Sequence, residues 1–104
     1  MKLTFKKQAQ ITGLARVAHP YGPSTDIRLG GRSVGRIDPP RYNSPEKVWK
    51  VWLALTDATI LGGWRWVVLK ARFASDEEAR EFVTKHAETL LAKGLYRFEK
   101  DWDK

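Results

Sequence analysis

Six cations, Arg28, Arg32, Arg36, Arg41, Lys47 and Lys50, crowd the stretch between positions 28 and 50, with Tyr42 among them and Trp52 just beyond. Guanidinium and ammonium groups engage phosphates and aromatic rings stack on bases. The combination therefore suits nucleic acid, with single strands fitting best. The whole-chain charge points the same way. Of the net +7, residues 1–50 supply ten Lys or Arg against Asp26, Asp38 and Glu46, whereas residues 51–104 hold nine cations and nine acids. A basic face is the expectation from that asymmetry. Two other accounts use the same residues. Lys and Arg at solvent-facing strand positions keep edges from pairing and keep a domain soluble. A basic face also steers toward an acidic protein partner, for which Trp52 or Tyr42 would be the anchor. The residue types do not choose between nucleic acid and protein.

Catalytic chemistry has little to work with. The two histidines are His19, in a proline-rich stretch, and His86, between Val83 and Leu90 on a helical wheel. There is no cysteine and no spaced pair of acids, so neither a triad nor a metal set is expected, and the chain reads as a non-enzyme without cofactor. Gly30, Gly31 and Gly35 lack the Gly-Lys-Ser/Thr ending of a phosphate loop and the strand-glycine-helix order of a dinucleotide site. Turn geometry accounts for them better.

The cations must be placed by strands. Asp26 to Ile37 reads as a hairpin turned on Gly30-Gly31, with Ile27 opposite Val34 and Gly35 marking a bulge. A second hairpin joins Val48–Thr56 to Trp64–Ala74. On its first run Trp49, Val51, Leu53 and Leu55 alternate with Lys50, Trp52 and Ala54; on its second, Trp64, Trp66 and Val68 alternate with Arg65, Val67, Leu69 and Ala71. Both faces are apolar. One should meet a helix, and the other should be covered by the N-terminal segment, a partner, a second copy of the chain or a ligand. Of the four tryptophans Trp49, Trp52, Trp64 and Trp66, at least two are expected to be packing residues and Trp52 the most exposed.

Ser75-Asp76-Glu77-Glu78 is a capping box, and Ala79, Phe82, Val83, Ala87, Leu90 and Leu91 then follow helical spacing. Lys93-Gly94 supplies the stop, so a helix of about five turns is expected from Asp76. An earlier strand is expected around Gln8 to Ala18. The stretches 19–24 and 38–45 hold all five prolines and read as loops. The tail that carries Trp102 either folds back onto the sheet or frays.

The sum is an α+β domain spanning 1–104, a mainly antiparallel sheet of about four to five strands packed against one C-terminal α-helix. A chain of 104 residues with 42% hydrophobic residues can bury a core of its own. No apolar run approaches the ~18 residues of a membrane span. Met1 to Lys7 lacks the apolar stretch of a secretory signal, and a cytoplasmic chain is the expectation. The stretch Gly62-Gly63-Trp64-Arg65-Trp66, followed by Phe73 to Val83, resembles small sheet-plus-helix proteins encoded by phages and other mobile elements, over about residues 48–94. That resemblance implies an inhibitor or regulator that binds a host or phage protein. In element order the chain is also similar to the single-stranded-DNA-binding transcriptional coactivator family.

Overall fold

The structure is a computed structural model that describes residues 3–7, 21–40 and 45–98. Among the described residues five antiparallel strands, β1 (Leu3–Lys7), β2 (Thr25–Leu29), β3 (Arg32–Asp38), β4 (Lys50–Thr56) and β5 (Trp64–Val68), lie side by side in chain order as an open sheet. Two short helices follow, α1 (Asp76–Lys85) and α2 (Ala87–Ala92), which makes the fold α+β. Among the described residues no helix is long and apolar enough to cross a membrane.

Strand alternation and register decide what each face carries. Ile37 lies opposite Val51, Gly35 opposite Leu53 and Ile27. The side chains of Ile27, Ile37, Val51 and Leu53 face the helices, where Ala79, Val83 and Leu90 close over them as one buried core with Leu3, Leu29, Val34 and Phe73. The helix is anchored at its start. Glu78 N donates to Ser75 Oγ at 3.1 Å, while the Glu78 carboxylate reaches one residue further back than a capping box requires, accepting from Ala74 N at 3.3 Å. Asp76 accepts from Thr25 Oγ1 at 2.9 Å, which ties the first turn to β2.

The hairpin of β2 and β3 turns on Gly30 and Gly31, whose φ of 60° and 79° are the left-handed pair a two-residue turn needs. Its register differs from the sequence expectation. Ile27 pairs with Gly35, not Val34, because Val34 is an extra residue opposite the Ile27/Arg28 step. This bulge still keeps Val34 and Ile37 both in the core, which is the reason a bulge was expected near Gly35. At Gly35 a Cβ would stand 2.4 Å from the Trp52 carbonyl oxygen, so β3 and β4 approach there as only glycine permits.

Two further local expectations are corrected. The single helix is interrupted at His86, whose φ of −104° and ψ of 18° lie off the helical basin, and its ring packs 4.4 Å from Phe82. The run Trp64–Ala74 is not one strand. Leu69 N still donates to Val51 O and Phe73 exchanges two bonds with Trp49, but the ladder breaks between them. The reason is Arg72, whose Nη1 takes up the carbonyls of Leu69, Lys70 and Ala71 at 2.6, 3.1 and 3.2 Å. Ahead of these elements, β1 pairs with β2 from Leu3↔Leu29 to Lys7↔Thr25. The strand expected at Gln8–Ala18 lies outside the described residues, as do His19 and Trp102.

Candidate nucleic-acid interface

The face turned away from the helices is built by the other half of the alternation. Arg36 stands opposite Trp52, Asp38 opposite Lys50, Trp52 opposite Val68 and Ala54 opposite Trp66. All of these belong to β3, β4 and β5. Arg36, Lys50, Trp52, Trp64 and Trp66 are half-buried, neither sealed in a core nor standing in open solvent. The Arg36 guanidinium lies 5.9 Å from the centroid of the Trp66 ring while its cross-strand neighbour is Trp52. The cation therefore stands over one indole, a contact that adds attraction from the ring quadrupole. Its Nε is 3.0 Å from Asp38 Oδ1 but off the line of a hydrogen bond, so this Nε contact is an ion pair. Asp38 Oδ1 is also taken by Ser24 Oγ at 2.6 Å, which fixes the carboxylate beside Arg36.

The expected cations do not gather as one set. Arg28 turns inward: its Nε lies 2.9 Å from Asp26 Oδ2, and Asp26 is completely buried and also accepts from Ser33 Oγ at 2.5 Å. A buried carboxylate needs that charge, so Arg28 belongs to the structure of the β2–β3 hairpin. Arg32 pairs with Leu29 across the turn and so lies on the helix side of the sheet. The Val34 bulge causes this, because an inserted residue reverses the alternation between positions 32 and 36. Lys47 is exposed ahead of β4. Arg41 and Tyr42 lie outside the described residues. Arg36, Lys50 and Trp52 are the expected site residues that the sheet brings together.

Two rings, Tyr96 and Phe98, extend the site beyond what the residue pattern indicated. Trp64 and Trp66 meet edge to face at 5.4 Å, and Tyr96 and Phe98 join them from the segment after α2. That segment enters a fork. β3 leaves β4 after the Gly35↔Leu53 pair, and residues 94–98 occupy the ladder positions it vacates. Thr56 N donates to Gly94 O at 2.9 Å, Tyr96 N to Ala54 O at 2.8 Å, and Phe98 N to Ser33 O at 3.0 Å. Leu95 opposite Leu55 faces the core, which sends Tyr96 and Phe98 to the opposite face. The alternation Leu95-Tyr96-Arg97-Phe98 after Gly94 is the strand-like signal that could have revealed this.

Trp49 packs with the helix-side core and meets Tyr21 edge-on at 5.4 Å. No group of three His, Cys, Asp or Glu able to hold a metal occurs among the described residues. Comparison with protein-family models, curated proteins and solved structures gives no match to this chain.

Proposed function

We propose that the β3–β5 face binds single-stranded nucleic acid as a non-enzymatic module. The observation that carries this reading is Arg36 over the Trp66 ring and directly opposite Trp52 on the neighbouring strand, with Lys50 on the same face. Arg36 and Lys50 supply phosphate contacts spaced along two neighbouring strands, and the half-buried indoles supply surfaces on which bases of any identity stack. An open sheet face does not enter a duplex groove as a helix would, whereas splayed, unpaired bases can reach rings presented on it. The net charge of +7 raises the rate of encounter with a polyanion.

The test is a fluorescence titration with a short single-stranded DNA and the matching RNA at two salt concentrations. With two phosphate contacts, log K should fall against log salt with a slope of about −1.4, and Arg36→Ala should reduce the slope by about 0.7. Trp52→Ala should weaken binding roughly 5- to 150-fold without altering the salt slope. Failure of the intact chain to bind either strand at low salt, or an affinity that ignores salt, overturns the proposal.

A further inference from the structure

Resting on that reading, we propose that Tyr96 occupies the place of a nucleobase. Trp64 is then a second stacking platform of the site, and the strap Leu95–Phe98 must lift before a base can reach it. Tyr96 meets Trp64 in near-parallel geometry: the planes are 18° apart with centroids 5.6 Å apart, an offset stack. Trp64 meets Trp66 at 90° and Phe98 at 82°, both edge-on. An offset stack on an indole is the arrangement a base adopts on an aromatic platform. Tyr96 therefore holds a position that suits the ligand.

The attachment of the strap suits a removable cover. Gly94, with φ of 82°, turns the chain out of α2 and into the fork. From Gly94 onward the backbone hydrogen bonds to the sheet include those with Thr56, Ala54 and Ser33, and Thr56 Oγ1 also donates to Gly94 O at 3.0 Å. Each such bond is worth little net, because water replaces it when the segment lifts. Tyr96 and Phe98 remain half-buried even when docked. A short strap of this kind belongs with the elements that open locally, well below the free energy of global unfolding. Its closed population would reduce the apparent affinity by the fraction of molecules that are open.

A reversible lock tests this. Leu55 and Leu95 are directly opposite, and the bonds on either side (Thr56 to Gly94, Tyr96 to Ala54) make them a non-hydrogen-bonded pair, whose short Cα separation suits a disulfide. The chain has no cysteine, so Leu55→Cys with Leu95→Cys gives a single pair. The oxidised protein should bind a short single-stranded DNA roughly tenfold more weakly than the same protein after reduction. Because both states share the same substitutions, a general loss of stability cannot produce that difference. Tyr96→Ala, checked for intact folding by thermal unfolding, should bind more tightly than the parent chain. Equal affinities before and after reduction, or weaker binding by folded Tyr96→Ala, overturn the strap while leaving the interface standing; no binding by the parent chain overturns the interface itself.

Discussion

The two faces of the same strands show how alternation alone yields different surfaces. On the helix side Ile27, Ile37, Val51 and Leu53 are at most 1% exposed. Branched aliphatic side chains there interlock with α1 and α2. On the other side the same β3, β4 and β5 carry Arg36, Lys50, Trp52, Trp64 and Trp66, none of them fully buried. Toward β2 this second face closes again over Asp26 and Ser33, both fully buried. Apolar residues on both sides of a strand therefore do not mean two equal cores. Aliphatics packed out of water make one side a foundation, and rings mixed with cations make the other the face proposed to receive a nucleic acid.

The comparison is tested most severely by truncating one residue from each face of β4. Leu53→Ala should cost about 2–5 kcal/mol, the usual range for a buried leucine. Trp52→Ala, from a half-buried position, should cost no more than about 1.5 kcal/mol despite the larger side chain. Urea unfolding of the two variants decides the matter: equal losses would make the second face another core. Gly35→Ala comes next in size. Its methyl group would meet backbone that cannot swing aside, so a loss of about 1–3 kcal/mol is expected. An unchanged urea midpoint would show that β3 and β4 can separate at no cost. Smaller again is Ser75→Ala, which removes the acceptor for Glu78 N and should lower stability by about 1 kcal/mol with nucleic-acid affinity unchanged.

What could be read from the chain follows from how local each signal is. Gly30-Gly31 and Ser75–Glu78 act through their immediate neighbours, and both features stand where the residues place them. The α+β class followed from a period-two pattern changing to a helical one. Arg32 was misplaced because a single bulged residue reverses a face, and nothing in the residue types fixes which residue bulges. Arg28 was counted among the phosphate contacts because its partnership with Asp26 depends on burial, which the sequence does not display. The break at Lys70–Arg72 depends on a side chain that substitutes for ladder bonds, and the interruption at His86 has no capping residue to announce it. Tyr96 and Phe98 are hidden from the sequence for a different reason. Their partners Trp64 and Trp66 are distant in sequence, and the fork that receives them exists only once β3 has parted from β4. Non-local pairing, more than composition, limited the reading of the site.

The smallest effect concerns the loop that sets the pairing of β4 with β5, on which both faces depend. Asp57 accepts from Thr59 Oγ1 at 2.6 Å and from Thr59 N at 3.0 Å, and Arg65 Nε lies 3.2 Å away. These contacts hold the carboxyl below its ordinary pKa, with the Thr59 hydroxyl the largest cause, then the Thr59 amide; partial desolvation opposes them and Arg65 assists. A folded-state value below the unfolded one means that the contribution is complete above the unfolded pKa and is lost as pH falls through the folded one. Thr59→Ala removes the leading cause, so an NMR titration of the Asp57 carboxyl carbon should show its midpoint moving up toward the ordinary value. The acid-induced loss of stability attributable to this group should shrink in the same variant. Since Asp57 N also donates to Gly63 O at the head of the β4–β5 ladder, register is secured twice at this point. The variant should therefore bind single strands as the parent does; a changed affinity would show that the Asp57–Thr59 turn, and not the ladder, sets the spacing of Trp52 from Trp66.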